Sequence, residues 1–140
     1  MLQLKFGWDF NHDLIGTYIA GEVMKSGTVV ARGADDVLSP DTSGFLLLQD
    51  VDATGPTFQQ IVLGVINYKV AVNSPVTVAL WRAGGIIETD NVDKGAAESI
   101  KVGDLFKVVA GVFTLDAAGT SAVCTAIIDA TAGIYELKLL

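Results

Sequence analysis

Apolar and polar positions alternate over short distances along this chain. Brief runs of Val, Ile, Leu, Thr and Phe are punctuated by Gly and by small polar clusters, a pattern of many short strands joined by tight turns. It predicts strands over Gln3–Phe6, Gly21–Met24, Thr28–Arg32, Gly44–Gln49, Gln60–Val65 and Val76–Trp81. Further strands are predicted over Ile86–Glu88, Leu105–Val109, Val112–Thr114, Ser121–Ile128 and Ile134–Leu139. In the last of these, Tyr135, Leu137 and Leu139 fall on one side and Ile134, Glu136, Lys138 and Leu140 on the other, so one face meets a core and one meets solvent. Phe45-Leu46-Leu47-Leu48 is apolar on both faces, which predicts a strand covered on both sides.

Three segments look like versions of one unit: Met24–Ala31, Val72–Ala79 and Val102–Val108. Each runs from an apolar residue through a short polar turn into a strand. The second and third are followed by a Gly turn and a return strand, which reads as hairpins stacked into a barrel or sandwich. Helical signal is thin. Asp93–Ser99 has room for one turn, weakened by Gly95, and in Thr57–Leu63 the residues Ile61 and Val62 favour extended chain. The fold class expected is all-β: a small β-barrel, β-tulip or sandwich of short hairpins with an N-terminal arm. Residues 1–18 are read as that arm or extension and residues 19–140 as a single β-domain.

The first 18 residues hold Phe6, Trp8, Phe10 and Tyr18, four of the 11 aromatics (6 Phe, 3 Tyr, 2 Trp). Aromatics crowded at a terminus either pack on their own domain or grip a partner, where such anchors supply much of the binding energy. These four are the candidate protein-interaction residues. Deleting residues 1–10 is expected to weaken attachment to a partner while leaving the domain folded.

Composition narrows the classes. With 51% hydrophobic and 18% charged residues, 140 residues can bury a real core, and disorder is disfavoured. No apolar run approaches the ~20 residues that span a membrane. The start lacks a basic flank and a long apolar core, so no signal peptide is expected and synthesis is expected in the cytoplasm of the producing cell. A net charge of −7, with Lys and Arg scattered singly, argues against nucleic acid and anionic membrane as partners.

Candidate chemistry is sparse. His12 is the sole histidine, with Asp9 and Asp13 nearby, but no Gly-x-Ser-x-Gly elbow accompanies it. One His and one Cys do not make a zinc framework. Asp35-Asp36 and Asp90-Asn91-Val92-Asp93 lack the ligand ladder of a calcium loop. Arg82-Ala83-Gly84-Gly85 lacks the Gly-Lys-Ser/Thr ending of a phosphate cradle. Cys124, in Ala122–Ile128, reads as a buried small hydrophobe. Trp81 reads as core rather than as a ligand platform. No catalytic, cofactor-binding or metal residues are assigned, and no enzyme activity is expected.

The order of segments over residues 21–140 resembles that of phage head decoration (cement) proteins. The likeness runs from Lys25-Ser26-Gly27-Thr28-Val29-Val30-Ala31-Arg32-Gly33-Ala34-Asp35-Asp36 through Gly44–Val51 and Ile61–Ile66. It continues through Val76–Trp81 with Gly85–Val92, Val102–Phe106 and Gly111–Thr114 to the terminal Ile134–Leu139 strand. It is a likeness of pattern. It implies a small β-barrel or β-tulip that assembles as a dimer or trimer. Such a protein binds the major capsid protein outside an expanded shell and holds capsomers together, which places it on the virion surface. The aromatic start Phe6-Gly7-Trp8-Asp9-Phe10 is longer than that pattern. Other readings are a tail, fibre or connector subunit, a carbohydrate- or ligand-binding β-module, and a small hydrolase centred on His12.

Overall fold

A computed structural model describes residues 2–8, 13–50, 69–130 and 133–140. The fold is all-β, as expected, and includes a closed barrel. The strands are β1 (Leu2–Phe6), β2 (Leu14–Ala20), β3 (Met24–Lys25), β4 (Val29–Arg32), β5 (Val37–Pro40), β6 (Phe45–Asp50) and β7 (Lys69–Val70). They continue as β8 (Pro75–Ala79), β9 (Ile86–Thr89), β10 (Val92–Asp93), β11 (Leu105–Val109), β12 (Val112–Leu115), β13 (Cys124–Ala126) and β14 (Tyr135–Leu139). Five of them close the barrel in the order β2-β5-β4-β6-β8, seven form an open sheet ordered β1-β9-β14-β13-β11-β12-β10, and β3 pairs with β7.

The alternation of side chains along each strand decides what lies inside. Ala20, Val30, Leu38, Leu47, Val76 and Val78 cluster as the barrel core, joined by Met24 and Val70 of the β3–β7 ribbon. Tyr18 stacks on Phe45 beside this core, ring centroids 5.3 Å apart. A bulge in β2 between Ile15 and Tyr18 shifts the period, so that Ile15, Tyr18 and Ala20 all reach the same core.

The residues one step out of phase belong to the other core. Val29, Leu46 and Ala79 pack with Ile87, Phe106, Phe113, Cys124, Tyr135, Leu137 and Leu139 of the open sheet. The wall formed by β4, β6 and β8 is therefore buried on both faces. Leu46 and Leu47, adjacent in sequence, are both fully buried, in different cores. This bears out the double-sided reading of Phe45–Leu48. The outer face of the open sheet is polar: Glu88 lies opposite Gln3 and Glu136, and Lys5 pairs with Glu88 at 3.3 Å. The ion pair relieves the like-charge opposition of Glu88 and Glu136. In β14, Tyr135, Leu137 and Leu139 are buried and Lys138 is exposed, as the alternation predicted.

A buried polar network holds the two cores together. The Asn91 side-chain amide donates to the carbonyls of Gly27 and Gly111, both at 2.9 Å. The Gly111 carbonyl also accepts from the Val29 amide, and the Gly111 amide donates to Asp41. Gly111 has φ +81°, and a Cβ there would lie 2.6 Å from Thr28 Cγ2, so only glycine fits this approach. Beside it, Lys25 Nζ meets the buried carboxylate of Asp90 at 3.2 Å and donates to the Asp90 carbonyl at 2.9 Å.

The three similar segments share one turn. Thr28 N–H donates to the Lys25 carbonyl, Ser74 N–H to Ala71 and Asp104 N–H to Lys101. The third residue has positive φ in each: Gly27 at +94°, Asn73 at +63° and Gly103 at +92°. Positive φ at that position is the mark of a type II turn.

Several expectations shift. Of Gly21–Met24 only Met24 is in a strand, as the start of β3, the rest being the β2–β3 connection, and Ser121–Ile128 shortens to Cys124–Ala126. Val76–Trp81 ends at Ala79, and Asp93–Ser99 forms a turn at Gly95 (φ +59°) rather than a helix. Gln60–Val65 and Thr57–Leu63 lie outside the described residues. Within residues 1–18, β1 pairs along β9 and β2 enters the barrel, so the described parts of the arm are laid into the sheets.

Asn91→Ala is expected to destabilise the fold by about 2 kcal/mol, because it strips a donor from two buried carbonyls. Asn91→Asp is expected to cost more, since a carboxylate would then face those oxygens. Urea denaturation of the three proteins checks both the size and the order.

Candidate functional site

The terminal aromatics do not converge on one surface among the described residues. Trp8 packs against the open-sheet core, its Nε1 donating to the Ile86 carbonyl at 3.2 Å. Its ring covers Gly85 so closely that a Cβ there would lie 2.8 Å from Trp8 Cζ2. Tyr18 packs on the barrel core, on the other side of the shared wall. Phe6 ends β1 opposite Ile86, and Phe10 lies outside the described residues. Leu2 and Leu4 also pack on the open-sheet core, so residues 2–8 contribute to folding. A deletion of residues 1–10 therefore removes an edge strand as well as any partner contact, and leaving the domain intact is no longer the expected outcome.

Several of the described groups weighed for chemistry are engaged in structure. His12 and Asp9 lie outside the described residues. Asp13 is buried and accepts from Arg82 Nε at 2.9 Å. Asp36 pairs with Arg32 at 2.6 Å. In Asp90–Asp93, Asp90 meets Lys25, Asn91 binds two carbonyls, and Asp93 Oδ1 accepts from the Gly95 amide. Among the described residues no group of three His, Cys, Asp or Glu side chains is placed to hold a metal ion. Nor is any helix among them long and apolar enough to cross a membrane.

Cys124 is buried on β13, and burial pushes its thiol up to about 12 because a thiolate there would lose its hydration. This agrees with its reading as a small hydrophobe.

Two features of the surface remain. One is a set of apolar side chains held outward. Val72 and Val102 occupy the second position of their type II turns, Val23 lies in the β2–β3 connection, and Ile128 follows β13. Val102 is 63% exposed and Val23 58%. The other is a cleft of about 230 Å³ lined by Thr42, Ser43, Gly44, Trp81 and Val123. The β5–β6 connection supplies the first three. Trp81 follows β8 and Val123 precedes β13, so the cleft lies where barrel and open sheet adjoin. Sequence reasoning assigned Trp81 to the core. The residue does pack there, against Phe113 at 6.3 Å, but it is only half-buried and also walls the cleft. No sequence signal linked it to positions 42–44 or 123.

Compared with known proteins, the chain matches no family model and no curated sequence.

The native protein is expected to resist a thiol reagent at pH 8, where a group titrating at about 12 is almost wholly protonated, and to react at once in denaturant. A raised folded-state value also means that this thiol's stabilising contribution is intact below its ordinary value of 9.0 and is lost as pH rises through about 12. Native and denatured rates of thiol labelling across pH 7–9 check the first point.

Proposed function

We propose that this chain is a structural virion protein, a capsid cement (decoration) protein that binds the outside of a phage head and stabilises contacts between capsomers. The observation that carries the reading is the wall of β4, β6 and β8, buried on both faces. A barrel and a sheet that share one wall move as one stiff body. Such a body transmits load between neighbours instead of yielding.

The exposed valines at the turn tips supply contact points whose backbone is already ordered, which lowers the entropic cost of binding. Closing five strands into a barrel removes their free edges and so disfavours uncontrolled strand pairing. The acidic surface suits a protein partner better than packaged nucleic acid. The partners under this reading are the major capsid protein and further copies of the chain in a dimer or trimer. Many identical sites on a shell convert modest single contacts into firm retention.

The test is co-sedimentation of the full chain with expanded and unexpanded heads of its own phage. Saturable binding at a fixed copy number per head, with heads that survive more heating, is expected. Val72→Asp and Val102→Asp should each weaken binding by about tenfold, the loss associated with an interface anchor, while leaving circular dichroism unchanged. Binding to tails and not to heads would transfer the protein to another virion role. Binding to neither would refute the reading.

A further inference from the structure

We infer that the cleft at Trp81 is the interface between two copies of this chain, related by a two-fold axis, each seating its Leu140 side chain in the cleft of the other. The inference deepens the self-association in the reading above and rests on it to that extent, but it uses a surface distinct from the turn tips at Val72 and Val102. The lining of the cleft is almost wholly apolar. It suits an aliphatic side chain, because a polar ligand would lose hydration there with few groups to replace it. Its volume of about 230 Å³ exceeds the roughly 150 Å³ that holds a benzene, which leaves room for a leucine.

Leu140 is the knob that matches this hole. Its side chain is exposed although its backbone is fixed beside the cleft. Its N–H donates to the Val123 carbonyl at 2.9 Å, and its own carbonyl accepts from the Trp81 indole N–H at 3.4 Å. Trp81 is held in turn against Phe113, ring centroids 6.3 Å apart. Knob and hole therefore adjoin on one ordered surface, which lowers the entropic cost of docking. A two-fold contact needs this adjacency, because the rotation presents the knob of each copy to the hole of the other.

Charge points to the same occupant. Asp41 lies just outside the lining, one residue before Thr42 on one wall, and Arg82 lies one residue after Trp81 on the other. Both are exposed. Asp41 Oδ1 accepts from the Thr42 amide at 2.6 Å, and Arg82 Nε donates to the buried Asp13 at 2.9 Å, so each charge is held in place. A two-fold rotation about the cleft exchanges the walls. Asp41 of each copy then faces Arg82 of the other, giving two pairs of opposite sign across one interface. A partner carrying a single sign of charge would be repelled at one wall.

The experiment measures the mass of the full chain by sedimentation equilibrium from micromolar to millimolar concentration, with circular dichroism of each variant as the check on folding. A dimer is expected. Ser43→Arg crowds the cleft from an exposed wall position, and Leu140→Asp replaces the exposed knob. Each should weaken dimerisation by at least about tenfold, as loss of an interface anchor does, with circular dichroism unchanged. Asp41→Lys should weaken it as well, by setting like charges face to face, and that loss should shrink as salt is added. Val72→Asp and Val102→Asp should leave the dimer intact. A monomer throughout the range, a trimer, or a dimer that survives both Ser43→Arg and Leu140→Asp would overturn the assignment. The two readings fail separately: a monomer that binds heads sinks the dimer alone, and a dimer that binds no heads sinks the shell role alone.

Discussion

The whole structure depends on burying both faces of a single β-wall. Val29 and Val30, Leu46 and Leu47, and Val78 and Ala79 are neighbours in sequence that serve opposite cores. A strand in such a wall has no solvent face on which to place a polar residue, so its register must satisfy two packings together. A slip by one residue would exchange the two cores' side chains and leave both badly filled. Asn91 and Gly111 add the polar counterpart, joining barrel and sheet through the carbonyls of two buried glycines.

This arrangement explains why the surface is suited to display. With the interior constrained from both sides, short turns can project side chains without local support. The type II turns at Asn73 and Gly103 each hold an exposed valine one position earlier. The turn at Gly27 carries Ser26 there instead, and Ser26 is buried, donating to the Leu48 carbonyl at 2.6 Å. One local backbone design thus yields outward tips in two places and an interior anchor in the third. The difference lies in what surrounds each turn. The cleft depends on the same union, since its walls come from the barrel's β5–β6 connection and from residues flanking β8 and β13.

Much of the fold was legible wherever periodicity was uninterrupted. Leu105–Val109 was read with its observed bounds, and the β14 alternation and the two-sided β6 were read correctly. Strands were missed where local signal is weak or broken. The bulge in β2 destroys its period of two, so most of the strand, Leu14 to Tyr18, was read as part of an arm. Val37–Pro40 ends in proline and pairs in parallel with β2 across a long separation. β7 and β10 are two residues long, and β10 is held by a parallel pairing to β12 that no run of its own residues foretells. The candidate interaction residues were chosen for type and crowding, yet Trp8 and Tyr18 pack on opposite sides of the shared wall.

By itself the sequence determined the class of structure: short extended segments, glycine-hinged turns, a buried thiol and the strand with no polar face. These follow from side-chain alternation and backbone preference, which act over a few residues. Only the tertiary structure decided that five strands close while seven remain open, that Asn91 bridges them, and that Trp81 meets Thr42, Ser43 and Val123 across a cleft. Those outcomes come from pairing and packing between residues far apart in the chain. Their energies depend on complementary partners and leave no mark on any single segment.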